Sequence, residues 1–543
     1  LAIEDQRFYS HFGIDPIRIV GAMVANLKEG RIVQGGSTIT QQLVGLCKLD
    51  RNEKTFKRKI QEAVLAIKAE REYSKDEILE FYLNRAYFGY SAYGVEAAAQ
   101  TYFDKHAKDL NIQESALLAG IIQHPYKHSP VRDMDAAMKR RNTVLNAMVD
   151  FGKLTAAKAE ELKKTPIEIS FVNIEKASYK YQSFVDYVVE QAIEVLNLSD
   201  EETKQIYTRG YKIYTTLDTK IQSRMEEVYA NDENFPKGKG DQIIQSAMIV
   251  IDHRTGEIKG IIGGRKQQGQ RVFNRATQAI RQPGSAFKPL VVFGPALEMG
   301  FTAATVLDDF PAAYPVPTGV WAPQNVTPVY RGLVPMRTAV QHSINTWSVK
   351  MLNKIGTAVG YEFAERLGIS TLVPEGEAND KGLALALGGL TKGVYPLEIA
   401  AAYGAFANKG IYTTPYAIIR IEDQDGNVLW QNKIQQKRVM SEEVAYLITS
   451  MLQTVVKEGT GTRADIPGRA VAGKTGTTSD AKDAWFIGYT PEYVGAVWLG
   501  YDEPQRISGS AGGGANAGPI WKLVMQTALE GLPNSDFKRP DSI

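Results

Sequence analysis

Apolar residues recur at helical spacing through nearly all of the chain from Leu1 to about Lys164. Ser74-Lys75-Asp76-Glu77 reads as a capping box ahead of Ile78, Leu79, Tyr82 and Leu83, its serine and glutamate each able to satisfy a free helix-start N–H. Helical spacing continues over Gln113–Ile122 and Asp135–Phe151, so residues 1–165 are predicted to be all-α. Ile167, Ile169 and Phe171 then alternate, which predicts a strand over Pro166–Ile174. A helix over Phe184–Leu196, a strand over Tyr211–Thr216 and a loop at Phe235–Gly240 complete a small mixed connector, residues 166–240.

From 241 to 535 the pattern becomes α+β. Ala247–Asp252 and Glu257–Gly263 predict a hairpin turning at His253-Arg254-Thr255-Gly256. A long helical middle gives way to strands at Ala470–Gly473, Ala484–Tyr489 and Tyr493–Gly500. Gly509–Gly518 reads as a Gly/Ala loop, with Pro519 opening a last helix, where its missing N–H costs nothing. A length of 543 residues exceeds what one core usually serves, so a multidomain protein is expected.

Composition narrows the class only a little. With 44% hydrophobic and 23% charged residues and a net charge of +2, the chain is globular and lacks the basic surface of a nucleic-acid binder. Its single cysteine, Cys47, excludes an internal disulfide. Neither a run of 18 apolar residues nor a signal peptide is present, and the chain starts abruptly at Leu1, so a membrane anchor is expected upstream.

Three short motifs carry candidate chemistry: Ser285-Ala286-Phe287-Lys288, Ser343-Ile344-Asn345 and Lys474-Thr475-Gly476-Thr477. Sets of this kind mark penicillin-binding proteins and β-lactamases. Ser-x-x-Lys alone means little, since it also occurs at Ser479 and Ser535, but Ser-x-Asn and Lys-Thr-Gly occur once each. A serine and a lysine three apart on a helix share a face, and Pro289 places Ser285 at the helix start. There free N–H groups favour the oxyanion formed when Ser285 attacks a carbonyl. Lys288 must be neutral to accept a proton, a downward shift of roughly 3 units, to which burial and the second cation Lys474 would contribute. Ser343 is placed to relay a proton to the leaving amine, and Asn345 to hold substrate backbone. Thr475 and Thr477 offer hydroxyls to a carboxylate across Gly476, and the Thr477 N–H would complete the oxyanion hole.

Gly468-Arg469-Ala470-Val471-Ala472-Gly473-Lys474-Thr475 also satisfies the P-loop pattern. A P-loop needs a strand before it and a helix after it. Here a Gly/Thr-rich run precedes and strands follow, so context rejects a nucleotide site.

Glu4-Asp5-Gln6-Arg7-Phe8-Tyr9-Ser10-His11-Phe12-Gly13, Gly35-Gly36-Ser37-Thr38-Ile39-Thr40-Gln41-Gln42 and Arg58-Lys59-Ile60-Gln61-Glu62-Ala63 resemble, in order, three glycosyltransferase motifs of the class A penicillin-binding proteins. Ile78–Gly89 and Gln123–Leu145 resemble later segments, so the resemblance covers essentially the whole chain. It implies a lysozyme-like helical polymerase acting on lipid-linked disaccharide-pentapeptide, and a transpeptidase that joins stem peptides of glycan strands and is acylated by β-lactam antibiotics. It also implies a single-pass protein of the bacterial cell membrane with its catalytic domains on the extracytoplasmic side. Glu4 would take the proton of the acceptor hydroxyl, Glu62 would assist at the donor, and Lys54 and Arg58 would meet the leaving pyrophosphate. Ser37, Thr38, Gln41 and Gln42 would line the groove.

Lys54, Arg58 and Glu62 lie at i, i+4 and i+8 on one helix stripe, while Phe56, Ile60, Val64 and Ile67 predict an inward apolar face. For an isolated helix, Arg58 and Glu62 would instead be a surface ion pair. Gly45 stands where the family usually has a basic residue, with Lys48 three positions on. His11 reads as a structural hydrogen-bonder, and His124 and His128 have no metal spacing. No cofactor is expected for transpeptidation, and a divalent cation remains an open requirement of the sugar transfer. Two alternatives stay open: a β-lactam-sensing or scaffolding protein, and a carboxypeptidase or β-lactamase that uses water in place of an amine.

Overall fold

The structure is a computed structural model and describes residues 1–29, 36–48, 56–90, 92–170, 180–199, 202–203, 205–240, 242–267, 272–316, 319–376, 379–507 and 512–543. The chain forms two compact units, one from Leu1–Ser178 and one from Tyr179–Gln267 with Arg271–Ile543.

The first unit is helical as expected, and among its described residues only an isolated bridge, Tyr87 to Tyr93, has β pairing. Ser74 caps Lys75–Arg85 with both capping-box bonds present, which turns Ile78 and Tyr82 into the core beside Phe88, Tyr102, Leu117 and Ile121. Two expectations fail here. Pro166–Ser170 is not a strand, and 171–174 lies outside the described residues. Buried Arg141 holds the carbonyls of Lys163 and Thr165 at 3.0 and 3.2 Å, and Ile167 and Ile169 dock on the helical core, so their alternation needs no partner strand.

The apolar face predicted for helix Phe56–Glu72 is the second failure. Ile60 and Val64 are 53% and 61% exposed, Ile67 is half-buried, and the inward stripe is Glu62, Ala66 and Glu70. Sterics and ion pairing decide it. Gly13, at φ +105°, lies so near Ala66 that an added Cβ would sit 2.6 Å from the Ala66 carbonyl oxygen, and cations meet the two glutamates.

The second unit is built on a five-stranded antiparallel sheet, ordered Ala472–Thr477, Asp483–Tyr489, Val494–Gly500, Gln245–Ile251, Ile258–Ile262. Period-two alternation feeds two separate cores. Ala247, Ile249, Trp485 and Ile487 face one, with Phe287, Phe406 and Ile448. Met248, Val250, Ala484 and Phe486 face the other, with Met225 and Trp521. The predicted hairpin and the strands at Ala484–Tyr489 and Tyr493–Gly500 are present, while the strand expected at Ala470–Gly473 runs instead from Ala472 to Thr477. Residues 179–240 of the expected connector pack into this unit: Phe184 and Val188 join the first core and Ile221 and Met225 the second. Their strand Lys212–Thr215 pairs with Ile418–Glu422.

Two helix starts differ from expectation. The nucleophile segment is a 3-10 turn at Gly284–Phe287, a π turn at Pro289–Phe293 and α-helix only from Gly294 to Glu298. Pro289 and Pro295 both lack the N–H that a continuous α ladder needs, and Gly294 donates to Pro289 instead. The last helix runs Gly513–Ala528 and contains Pro519 rather than starting at it. The Ala515 carbonyl, which Pro519 cannot serve, accepts from Arg463 at 3.4 Å.

Trp521 Nε1 donates to the carbonyls of Gly488 and Gly495 at 3.2 and 3.1 Å, tying this helix to two central strands. Trp521→Phe removes that donor and is expected to destabilise the second unit by about 1–3 kcal/mol with an unchanged m-value in urea unfolding. An unchanged midpoint would remove this account of the helix.

Candidate active sites

In the second unit the three short motifs converge. Ser285 is the second residue of the 3-10 turn, Ser343 precedes the helix Asn345–Ile355, and Lys474 to Thr477 lie on the edge strand of the sheet. Glycines permit the close approach. A Cβ on Gly476 would lie 2.5 Å from the Pro283 carbonyl oxygen, and one on Gly284, at φ +52°, would lie 2.5 Å from the Thr477 carbonyl oxygen. Trp485 Nε1 donates to the Gln282 carbonyl at 2.8 Å and Tyr403 Oη to that of Ala286 at 2.6 Å, so the nucleophile turn is bonded from both sides.

Ser343 is the centre of the cluster. Its Oγ accepts from Lys474 Nζ at 2.9 Å and from Lys288 Nζ at 3.4 Å, and its own backbone is left-handed at φ +54°, an uncommon state for a serine. Lys288 Nζ also donates to the Ser343 carbonyl at 2.8 Å and to Asn345 Oδ1 at 2.7 Å. Both lysines are fully buried with no carboxylate against them among the described residues. Burial pushes Lys474 down to about 7. It pushes Lys288 well below its ordinary value too, with the Lys474 charge as a second cause. Near neutrality the site therefore holds amines able to accept protons.

The geometry refines the expected roles. Lys288 reaches Ser343 and Asn345, and the structure gives it no hydrogen bond to Ser285. Asn345 spends its amide inside the protein, with Nδ2 donating to the Gln324 carbonyl at 2.8 Å, so it aligns Lys288 more directly than it offers itself to substrate. Thr475 Oγ1 bonds Thr460 Oγ1 at 2.8 Å, and Thr477 Oγ1 accepts the Gly513 N–H at 3.1 Å. Thr460, Asn325 and Asp309 were not singled out in the sequence, because each is brought in from a loop or strand outside the motifs.

The first unit brings several of the residues expected at a sugar-transfer site close together. Glu4 Oε2 accepts from Gln42 Nε2 at 3.0 Å, and Arg140 stands 3.9 Å from the other carboxylate oxygen. Tyr82 Oη donates to Gln42 Oε1 at 2.9 Å and so fixes which end of the amide faces Glu4. Glu62 is buried between Arg58, at 3.0 Å, and Lys59, at 2.6 Å, and Lys59 also donates to Ser37 at 3.1 Å. The open flank of Glu62 faces Gly45, where an added Cβ would lie 3.9 Å away. Lys54 lies outside the described residues, as does the side chain of Lys48.

Thr38 and Gln41 do not line a groove. Thr38 Oγ1 accepts the Gln41 N–H at 3.1 Å and Gln41 Oε1 accepts the Thr38 N–H at 3.0 Å, a buried capping box for helix Ile39–Lys48. The Thr-x-x-Gln spacing was a legible signal for it. Lys59 and Arg140, which stand beside Glu62 and Glu4, are cations that the sequence reading did not single out. His11 is structural as expected, bonded to Asp5 at 2.9 Å, which in turn accepts the Ile39 N–H.

Residues 1–149 match the family described as Transglycosylase, and residues 246–526 the one described as Penicillin binding protein transpeptidase domain. Penicillin-binding protein 1F of Bacillus subtilis is 39% identical across all of this chain and 74% of its own length. Penicillin-binding protein 1A of Aquifex aeolicus is 37% identical across 99% of this chain and 83% of its own. The crystal structure of Penicillin-Binding Protein 1A from Haemophilus influenzae superposes with a TM-score of 0.69 at 25% identity, covering 93% of this chain and 89% of that one. PonA1 of Mycobacterium tuberculosis, solved in complex with penicillin V, gives 0.58 at 26% identity over 66% and 96%. Helical transglycosylase followed by α/β transpeptidase is a pairing that defines a class, and the chain belongs to the class A penicillin-binding proteins. It is a bifunctional peptidoglycan glycosyltransferase and transpeptidase. These relatives support neither the sensor nor the hydrolase alternative.

The glycine contact gives a test. Gly476→Ala places a methyl 2.5 Å from Pro283 O and 2.9 Å from Ala286 Cβ, so strand and nucleophile turn must separate. Stability should fall by about 1–3 kcal/mol, and the penicillin acylation rate by at least about tenfold. Wild-type acylation in this variant would contradict the close-approach argument.

Proposed function

We propose that Ser285, Lys288, Ser343 and Lys474 perform the acyl transfer, and that Glu4 and Glu62 perform the sugar transfer. The observation that carries the first assignment is the Ser343 hydroxyl held between two buried lysines. Ser285 Oγ attacks the carbonyl of the penultimate D-alanine, and its proton passes to neutral Lys288. Through Ser343 a proton reaches the nitrogen of the terminal D-alanine as the C–N bond breaks. An amine of a neighbouring stem peptide then attacks the ester, and Ser285 regains its proton. A β-lactam acylates the same oxygen, with ring opening in place of departure. The oxyanion site uses the Ser285 N–H at the turn start and the Thr477 N–H on the edge strand, and substrate backbone adds along that edge.

At the sugar site Glu4 takes the proton of the acceptor hydroxyl, with Gln42 and Arg140 holding the carboxylate in place. Arg58 and Lys59, already drawn together by Glu62, receive the leaving pyrophosphate, and Lys54 of the same stripe is assigned with them. Transpeptidation in this scheme needs no cofactor. Among the described residues no three His, Cys, Asp or Glu gather as a metal cage.

We infer that the reaction occurs at the extracytoplasmic surface of the bacterial cell membrane on a single-pass protein, a reading that the lipid-linked substrate supports. Among the described residues no helix is long and apolar enough to cross a membrane. Ile17 and Val20, 70% and 60% exposed, and Ile60 and Val64 form two apolar helix faces in the polymerase unit suited to a lipid surface.

Intact mass after incubation with penicillin tests the assignment. Wild type should gain one long-lived adduct and Ser285→Ala none. Glu4→Gln should label normally while glycan polymerisation drops by at least about a hundredfold. An adduct on Ser285→Ala, or full polymerisation by Glu4→Gln, would overturn the corresponding role.

A further inference from the structure

Asp309 is fully buried, and among the described residues no cation pairs with it. It ends the strand Val306–Asp309, which pairs antiparallel with Gly332–Pro335. Its Oδ1 accepts from Thr346 Oγ1 at 2.6 Å and from Asn325 Nδ2 at 2.7 Å, and its Oδ2 accepts the Arg331 N–H at 3.0 Å. A carboxylate only accepts and a backbone N–H only donates. The Asn325 amide is thereby fixed in direction, and its Oδ1 accepts the N–H groups of Asn345 and Thr346 at 3.0 and 3.2 Å.

Those are free donors at the start of helix Asn345–Ile355. Ile344, the residue before it, has no side chain able to cap them. The cap comes instead from twenty residues upstream. Asn345 is held a second time through Nδ2 by the Gln324 carbonyl, next to Asn325 in the chain. What remains of its side chain, Oδ1, takes the Lys288 amine at 2.7 Å. An unbroken line of hydrogen bonds thus runs from Asp309 through Asn325 and Asn345 to Lys288.

The geometry points to Asn325 as a positioning residue for acyl transfer: oriented by Asp309, it fixes Asn345 so that Lys288 stays beside Ser343. This rests on the assignment of Ser285 and Lys288 above. A neutral amine has two N–H donors and one lone pair, so giving its two N–H groups to the Ser343 carbonyl and Asn345 Oδ1, the two shorter contacts, fixes where the lone pair points. Asn325 itself touches neither Lys288 nor Ser343 in the structure and acts only through Asn345.

The test measures penicillin acylation by the full chain, separating the non-covalent dissociation constant from the acylation rate constant per titratable site. Asn325→Ala should lower the rate constant by at least about tenfold, with the dissociation constant changed less than about twofold. Asn325→Asp keeps the acceptor but sets two carboxylates together, and should lose rate as well. Adding Asp309→Asn to it restores a donor between the two positions and should return most of the rate, an exchange that also decides the matter if Asn325→Ala does not fold. A loss that appears only as fewer active sites, with a wild-type rate constant in those remaining, would mean a purely structural part and overturn the proposal. So would a paired exchange no faster than Asn325→Asp alone. Ser285→Ala runs alongside: acylation there would sink the underlying assignment, whereas an inert Ser285→Ala beside a wild-type Asn325→Ala rate would sink only the positioning role.

Discussion

The transpeptidase depends on keeping two lysines out of water around one serine hydroxyl. An ammonium is strongly hydrated, and removing that water with no carboxylate in return favours the neutral amine. The surrounding fold accomplishes this with the sheet edge on one side and the nucleophile turn on the other, in contact through Gly476 and Gly284. The left-handed Ser343 turns its hydroxyl between the two amines. Because the folded pKa of Lys474 lies below its unfolded value, the unfolded chain binds more protons between about 7 and 10. This lysine therefore opposes folding most at and below neutral pH and less as pH rises.

The polymerase centre solves the opposite problem. Glu62 is buried yet retains two cations, Arg58 and Lys59, and Glu4 is braced by a glutamine and a more distant arginine. The apolar side chains that would ordinarily fill such a helix face, Ile60 and Val64, point outward instead.

Much of this was legible in the chain. Motif order and uniqueness single out residues that the structure brings together in each unit, and short apolar runs mark the sheet strands, because strands buried on both faces read as nearly continuous apolar sequence. Ser74 announced its helix. Periodicity alone could not say which helix face is inward, so Ile60 and Val64 were misplaced, and a buried Glu62–Ala66–Glu70 stripe is intelligible only once its cations are seen. Thr38 and Gln41 were read as groove residues although their spacing is that of a capping box. The 3-10 and π turns around Ser285 follow from two prolines six residues apart, a local conflict that spacing rules for a regular helix ignore. Asp309 and Asn325 were invisible, since their meaning lies in contacts with helix Asn345–Ile355 rather than in any motif.

The claim that neutral buried lysines drive acyl transfer is most directly tested by NMR titration of the lysine ε-carbons in isotopically labelled protein, with Lys288→Met and Lys474→Met for assignment. The account predicts that the Lys474 amine titrates near 7 in the folded enzyme. A midpoint for Lys474 near the ordinary lysine value of about 10.4 would contradict it.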